Sequence, residues 1–223
     1  MTNSNLLIIA TRDRPHNAIR AFEQAMQMST ESDFLIIINE DQQDLYPEIE
    51  GVMREVVPSE LGCIGKTNHV LASYWDKYET MVGFDDDCMV TTQGWDAVLA
   101  APIKQRGFGL AYGDDLLQGE NLPTKVMIST NITRVLGFWA PKSIFHLYAD
   151  NFWKSLGQGL GALFYNPEVK TEHWHYLNGK APQDDLYKSI YTAEAIKRDR
   201  DAYQAYMGDE FDKDIERLKQ ALG

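Results

Sequence analysis

Three adjacent carboxylates, Asp85, Asp86 and Asp87, directly follow the apolar stretch at residues 80–84. Neighbouring carboxylates raise each other's pKa unless a cation or hydrogen-bond donors compensate for their repulsion. Mg²⁺ or Mn²⁺ supplies such compensation, since it commonly takes one or two carboxylates and completes its shell with water and phosphate oxygens. The alternative is a solvated acidic turn, which the position of the triplet at the end of a predicted strand disfavours. The triplet therefore predicts a metal site.

Two of the five histidines, His173 and His175, flank Trp174 near the end of another predicted strand. At this spacing on an extended segment, the two side chains project to the same face. That arrangement suits metal ligation. The alternative is a pair of structural histidines around a packed tryptophan.

A further carboxylate, Asp150, stands near the start of a helix predicted over residues 148–160. It is a candidate general base, which requires a carboxylate within reach of a hydroxyl. The alternative is a carboxylate that only stabilises the positive end of the helix dipole.

Three basic residues, Arg12, Arg14 and Lys66, are candidate partners for a phosphate or diphosphate, or else ordinary surface charges. The sequence has no Walker-type loop, no G-x-G-x-x-G and no G-x-S-x-G motif. The absence of these motifs disfavours P-loop ATPases, classical dinucleotide-binding enzymes and hydrolases with a nucleophile elbow.

Short apolar runs alternate with amphipathic stretches through the first half of the chain. Strands are predicted at residues 6–10, 34–38, 52–57 and 80–84, with helices after Pro15 and over residues 66–77. Such alternation predicts an α/β fold with a largely parallel sheet. Ligands of these sheets bind beyond the carboxyl ends of the strands. Polar clusters at residues 11–14, 39–41 and 85–87 are expected to meet there.

In the second half, strands are predicted at residues 107–112, 124–129, 162–165 and 169–172. The chain from Pro182 onward is polar and predicted to be helical. In its last stretch, Phe211, Ile215 and Leu218 fall on one face, which predicts a helix packed on the body. We expect one domain over residues 1–183, divided into halves 1–100 and 101–183, and a C-terminal helical extension over residues 184–223.

The whole chain has 223 residues, with 33 acidic and 21 basic side chains and a formal net charge of −12. This balance argues against nonspecific binding to nucleic acid or an anionic membrane. No signal pattern opens the sequence, and no apolar run approaches the roughly 20 residues of a membrane helix. Cys63 and Cys88 have no metal-type or redox spacing. A cytoplasmic location with no membrane partner is therefore expected.

Together these segments resemble the large inverting group of nucleotide-sugar glycosyltransferases with the GT-A fold. The resemblance covers roughly residues 5–185. It rests on Thr11-Arg12-Asp13-Arg14-Pro15, Ile38-Asn39-Glu40-Asp41, Gly65-Lys66-Thr67-Asn68, Gly83-Phe84-Asp85-Asp86-Asp87, Gly94-Trp95-Asp96, Ala149-Asp150-Asn151-Phe152-Trp153 and Glu172-His173-Trp174-His175. The layout is most similar to small enzymes of phage or bacterial type. The implied fold is a GT-A-like, Rossmann-type, mostly parallel sheet flanked by helices.

The resemblance implies roles for individual residues. The nucleotide would contact Thr11, Arg12 and Arg14, and the edge of its base would meet Asp41. Lys66, Asn68 and Asp86 are further candidates for binding the nucleotide-sugar donor. Candidate metal ligands are Asp85, Asp87, His173 and His175. The triple aspartate leaves open whether Asp85 and Asp87, or Asp86 and Asp87, form the functional pair, and His173 is favoured over His175.

The implied reaction transfers a hexose or pentose from a nucleotide-diphosphate sugar to a hydroxyl, with Mn²⁺ or Mg²⁺ as cofactor and Asp150 as base. Inversion at the anomeric carbon follows from a base opposite the leaving group. The acceptor could be a glycan, a small molecule, a protein or a modified DNA base. The alternatives are a nucleotidyltransferase that makes a sugar nucleotide, which the glycine-free loop at residues 11–15 disfavours, and a non-catalytic sugar-binding protein on the same scaffold.

Overall fold

The computed structural model describes residues 4–223, which form a mixed α/β structure. Its strands are β1 (Asn5–Ala10), β2 (Ser32–Asn39), β3 (Val52–Val57), β4 (Thr80–Phe84), β5 (Cys88–Val90), β6 (Leu110–Asp114), β7 (Val126–Ser129) and β8 (Leu163–His173). Its helices are α1 (Pro15–Met28), α2 (Cys63–Val70), α3 (Trp95–Arg106), α4 (Thr130–Leu136), α5 (Ala149–Gly159), α6 (Asp185–Ile190), α7 (Ala193–Asp209) and α8 (Phe211–Leu222).

The strands form one sheet in the order β3-β2-β1-β4-β7-β6-β8-β5. The four strands from β3 to β4 run parallel, as their apolar runs predict. Beyond β4 the sheet is mixed, since β7 is antiparallel to both neighbours, β6 and β8 are parallel, and β5 is antiparallel to β8. The expected GT-A-like α/β sheet is therefore parallel in its first half and mixed in its second.

Side chains of β1 show how the sheet is buried on both faces. Leu6 and Ile8 belong to one apolar cluster, and Leu7 and Ile9 to the other. Successive side chains of a strand point to opposite faces, so a strand covered on both sides is apolar throughout. The buried run of β1 ends at Ala10 and that of β4 at Phe84, so Thr11 and Asp85 are the first residues after these two strands.

Several elements differ from the sequence-based expectation. The helix expected over residues 66–77 begins earlier, at Cys63, and ends at Val70. Strand β5 and helices α3 and α4 were not predicted. Two expected strands, at residues 162–165 and 169–172, are one strand, β8, which is irregular between Asn166 and Lys170, opposite Gly113 and Asp114. Pro167 lies in this irregular part, where a missing N–H costs no ladder hydrogen bond.

The C-terminal segment is helical, as expected. Ile215 and Leu218 of α8 are buried, and α8 packs against α4. Helix α7 packs on α8. Its fully buried Asp199 also accepts a hydrogen bond from the Leu147 N–H, in the loop that precedes α5. Among residues 4–223, no helix is long and apolar enough to cross a membrane.

Candidate functional site

The aspartate triplet occupies the short turn between β4 and β5. The Cys88 N–H donates to the main-chain oxygen of Asp85 at 3.1 Å, which closes the turn. Strand β5 then pairs antiparallel with β8, with Cys88 opposite His173. The Trp174 N–H donates to the main-chain oxygen of Asp87 at 2.8 Å. This pairing brings His173 beside the triplet, although 86 positions of sequence separate it from Asp87.

The first and third aspartates form a potential metal site with His173. One ligand atom from each of Asp85, Asp87 and His173 lies within 4.8 Å of the other two. His173 Nε2 is 3.2 Å from Asp87 Oδ1. That oxygen is buried and has no aligned hydrogen-bond donor in the described part of the chain. A buried carboxylate oxygen without a donor is costly unless a cation satisfies it, so this donor set fits a divalent ion.

The middle aspartate has different partners. Asp86 accepts hydrogen bonds from Thr11 Oγ1 at 2.6 Å and from Arg14 Nη1 at 3.2 Å. Burial, opposed in part by Arg14, raises the pKa of Asp86 to about 7. In contrast, the pKa of Asp87 is held below its usual range: its burial is outweighed by His173, Lys125 and Tyr187. The geometry thus separates Asp85 and Asp87 from Asp86.

His175 lies next to this group but outside it. Its Nδ1 accepts the Leu177 N–H at 3.2 Å, and its ring packs against Tyr187 at a centroid distance of 4.3 Å. Its ring centroid is 5.0 Å from that of His173. The Nε2 atom of His175 is buried and without a partner among residues 4–223.

Three residues that the sequence did not point to contact the acidic turn or its partner Arg14. Lys125, buried just before β7, places its Nζ 2.5 Å from Asp85 Oδ2. The Tyr187 hydroxyl, on α6, donates to Asp87 Oδ2. Asp184, which caps α6, accepts two hydrogen bonds from Arg14, at 2.7 Å and 2.8 Å. No local motif marks these residues, because tertiary packing alone brings them to the turn.

The candidate phosphate-binding cations all have partners. Arg14 is nearly buried between Asp86, Asp184 and the ring of Tyr187, whose centroid lies 3.9 Å from the guanidinium carbon. Arg12 forms two hydrogen bonds with Asp41, at 3.2 Å and 2.7 Å. These contacts bring the clusters at residues 11–14, 39–41 and 85–87 together at one edge of the sheet.

Two further candidates for binding the nucleotide sugar, Lys66 and Asn68, lie on α2. Lys66 Nζ donates to the Thr11 main-chain oxygen at 2.6 Å, and burial lowers the pKa of Lys66 to about 8. Asn68 bridges the loop after α4: its Nδ2 donates to the Ala140 oxygen at 3.0 Å, and its Oδ1 accepts the Trp139 N–H at 2.6 Å. Asn68 therefore holds this loop against α2.

The candidate base, Asp150, lies in the first turn of α5. Its Oδ1 accepts the Asn151 N–H at 2.9 Å. Burial, together with the charge of Asp85, raises its pKa above the ordinary range, while Lys125 acts in the opposite direction. A carboxyl group with a raised pKa is a better proton acceptor once ionised. Of the nearby aromatic residues, Trp139, Phe152 and Trp153 are buried in the core.

No protein-family model matches the sequence, and neither does any curated protein. Solved structures do match. The mannosyltransferase PcManGT from Pyrobaculum calidifontis, solved with GDP-Man and Mn²⁺, aligns with a TM-score of 0.60 and 11% identity over 99% of this chain and 74% of its own. Glucosyl-3-phosphoglycerate synthase from Mycobacterium tuberculosis, solved with Mn²⁺, UDP and phosphoglyceric acid, aligns with a TM-score of 0.62 and 10% identity over 90% and 78%.

A third match is more partial. TarS from S. aureus aligns with a TM-score of 0.53 and 11% identity over 87% of this chain but 43% of its own, so this chain spans less than half of that protein. At such low identities the similarity establishes the fold. The chain has the GT-A-type fold that these structures share.

Proposed function

We propose that this protein is a metal-dependent glycosyltransferase that moves a hexose or pentose from a nucleotide-diphosphate sugar to a hydroxyl acceptor. The observation that carries the proposal is the Asp85, Asp87 and His173 group at the carboxyl end of β4, in which the buried Asp87 Oδ1 accepts no aligned hydrogen bond from residues 4–223. The same fold binds Mn²⁺ together with GDP-Man or UDP in the solved structures.

In this proposal Asp85, Asp87 and His173 hold Mn²⁺ or Mg²⁺. The bound ion supplies positive charge for the diphosphate oxygens of the donor. Tyr187 and Lys125 orient the two carboxylates through their contacts with Asp87 and Asp85. Groups that orient ligands in this way tune the affinity of a metal site.

The first half of the chain, residues 1–100, is proposed to bind the donor. Arg14 and Lys66 stabilise negative charge that develops on the leaving diphosphate, because fixed cations at that position need no reorganisation during the reaction. Asp41, aligned by Arg12, receives the edge of the nucleotide base. Asp86, hydrogen-bonded to Thr11 and Arg14, fixes Arg14 relative to the metal-binding turn. Asn68 fixes the loop after α4.

In the second half, residues 101–183, Asp150 takes the proton of the acceptor hydroxyl as the new glycosidic bond forms. The transition state has oxocarbenium character, as in glycoside cleavage. In the proposed reaction the bond from the anomeric carbon to the diphosphate breaks as the glycosidic bond forms, and Asp150, which lies on α5 and not in the metal-binding turn, acts on the side away from the leaving diphosphate. That disposition supports inversion at the anomeric carbon.

The test is hydrolysis or transfer with UDP-Glc and GDP-Man in the presence of Mn²⁺. Asp150→Asn should lower turnover by about 10²-fold or more, the usual contribution of a general base. Asp212→Asn is a matched control, because Asp212 also lies in the first turn of a helix and is exposed. Undiminished turnover in Asp150→Asn would overturn the role of the base. Failure of both nucleotides to bind with Mn²⁺ would overturn the proposed function.

A further inference from the structure

A cleft lies beside α5, lined by residues outside the aspartate triplet. It has a volume of about 500 Å³ and opens between α5, the start of β8 and the loop after β6. The side chains that define it are those of Tyr112, Glu120, Asn121, Lys154, Gln158 and Tyr165. We refer to it as the α5 cleft. Its size falls within the range of small-molecule sites.

Helix geometry connects this cleft with the candidate base. Asp150, Lys154 and Gln158 are spaced by four residues, so they lie on one face of α5. At 1.5 Å per residue, Lys154 lies about 6 Å and Gln158 about 12 Å along the helix axis from Asp150. A chain molecule with one end at Asp150 would therefore have its next units beside Lys154 and Gln158.

The polar groups of the cleft include both donors and acceptors. Lys154 Nζ donates to the Asn121 main-chain oxygen at 2.8 Å, and an ammonium group has two further N–H bonds to offer. Gln158 is exposed, and its side-chain amide forms no hydrogen bond with any residue the structure describes. Glu120 adds a carboxylate. A ligand with hydroxyl groups on neighbouring carbons matches this mixture, because each hydroxyl is both a donor and an acceptor.

Two tyrosine rings complete the lining. Tyr112 is buried and packs against Tyr165 at a centroid distance of 5.2 Å, and the half-buried ring of Tyr165 is the one that a ligand can reach. An aromatic ring provides apolar surface at little cost in conformational entropy. A sugar ring has an apolar surface of C–H groups and a rim of hydroxyls, so it can use both the rings and the polar groups.

The acidic residues near Tyr165 disfavour a phosphate-bearing unit beside that ring. Partial desolvation and the carboxylates of Asp114 and Glu120 raise the pKa of Tyr165, whereas Lys154 is the one basic residue among those that line the cleft. A polyanion such as nucleic acid would add like charge to this surface. A neutral polyhydroxyl chain avoids that repulsion.

We propose that the α5 cleft binds a saccharide chain that serves as the acceptor, with its terminal hydroxyl at Asp150 and its preceding sugar units along Lys154 and Gln158. The proposal rests on the proposed function and adds its acceptor class. The lining residues come from α5, β6, β8, the loop between β6 and β7 and the turn between α5 and β8, outside the metal-binding turn.

The test is titration of the ¹⁵N-labelled full-length protein with maltotriose, cellotriose and mannotriose, followed by NMR. At least one trisaccharide should shift the amide signals of residues 157–165 and 119–121. Gln158→Leu should weaken that binding by about tenfold, the scale of one lost hydrogen bond to a neutral group. Gln27→Leu, a change at an exposed glutamine of α1, should bind as the wild type does. Equal thermal unfolding midpoints in the two variants would show that folding is intact.

Separate measurements distinguish failure of the saccharide proposal from failure of the proposed function. Nucleotide binding with Mn²⁺, measured by calorimetry on the same protein, tests the function without any saccharide. If nucleotides bind but no trisaccharide shifts the signals of the cleft, or if Gln158→Leu binds as tightly as Gln27→Leu, the saccharide cleft is overturned. If trisaccharides bind there and nucleotides do not, the cleft is supported and the transfer reaction is overturned.

Discussion

At the scale of single residues, three adjacent aspartates coexist because each has a different counterpart. Asp85 faces Lys125, Asp86 is enclosed by Thr11 and Arg14, and Asp87 meets His173 and Tyr187. Like charges at such short separation would otherwise favour protonation of some members. The arrangement leaves Asp87 Oδ1 without an aligned donor among the described residues, and this atom is the one on which the metal proposal depends most.

Asp87→Asn is expected to weaken Mn²⁺ binding by at least about 100-fold, since loss of an outer-shell partner alone costs roughly 10–100-fold. An amide keeps the size of the side chain and an acceptor for Tyr187, but it removes the negative charge. Mn²⁺ binding can be measured from the electron paramagnetic resonance signal of the free ion. Asp44→Asn, a change at an exposed aspartate, is the control. Equal affinity in the two variants would contradict the proposed ligand role of Asp87.

Lys66 should make stability depend on pH in the alkaline range. Burial lowers its pKa from 10.5 to about 8. Between these values the unfolded chain binds more protons at this group than the folded chain does, so this contribution to stability rises with pH. Other groups that act on Lys66 are Cys63, Arg12, Asp13 and Asp86. Of these, Cys63 contributes with the opposite sign: burial raises its pKa from 9.0 to about 12, so the unfolded chain loses this proton first. The comparison with a Lys66 variant is needed because both chains share the contribution of Cys63.

Relative to Lys66→Met, the wild type should therefore gain on the order of 1–3 kcal/mol of unfolding free energy between pH 8 and about pH 10.5, at about 1.4 kcal/mol per pKa unit. Urea titrations at several pH values measure this difference. Lys219→Met, at an exposed position, should show no such pH-dependent gap. A wild type that loses stability relative to Lys66→Met over this range would show that the sign is wrong.

At the scale of elements, helix α7 determines where α5 begins. The fully buried Asp199 accepts the N–H groups of His146 at 2.9 Å and Leu147 at 2.8 Å. Tyr203, one turn further along α7, stacks on Tyr148 at 5.7 Å. Tyr148 has a positive φ of 69°, which a non-glycine residue adopts only when its surroundings hold it. These contacts fix the residues immediately before Asp150.

Asp199→Ala should lower the unfolding free energy by roughly 2–5 kcal/mol, because at least two buried N–H groups lose their acceptor. The midpoint of urea unfolding reports this loss if the slope is unchanged. Asp201→Ala, two positions along the same helix, removes an exposed carboxylate paired with Lys197 and should change the midpoint little. Equal midpoints for the two variants would contradict the anchoring role of Asp199.

Elements with a strong local pattern could be predicted from the sequence, and those that depend on distant partners could not. The apolar runs of β1, β2 and β4 and the amphipathic face of α8 are local features, and the structure confirms these elements. Strand β5 has three residues and exists through its pairing with β8. Helix α3 has Pro102 in its interior, which obscures a helical pattern.

The same distinction holds within the site. The aspartate triplet and the two histidines are visible as local motifs. In contrast, Tyr187 lies 100 positions from Asp87, and Asp184 lies 170 positions from Arg14. Their roles follow from the contacts that α6 and its capping residue make with Asp87 and Arg14, which no spacing in the sequence encodes. Prediction from sequence therefore found the candidate ligands but not the residues that orient them.

At the scale of the whole molecule, the net charge of −12 describes the site poorly. Nine acidic residues and one basic residue lie between positions 31 and 60, so much of the charge belongs to one segment. At the site itself, Arg14, Lys66 and Lys125 are all buried close to the aspartate triplet. This local balance of opposite charges, rather than the global excess of acid, determines which ions can bind there.

Binding at the proposed metal site should stabilise the entire fold, because the ligand atoms come from β8 and the turn after β4, which lie far apart in an unfolded chain. An ion at 100 times its dissociation constant adds about 2.7 kcal/mol. For a protein of this size, that corresponds to a rise in Tm of roughly 5–10 °C. Thermal denaturation with Mn²⁺ measures the rise, and UDP or GDP should add to it only when Mn²⁺ is present. Asp87→Asn should lose both effects, and a nucleotide shift of the same size without Mn²⁺ would contradict a metal-bridged donor.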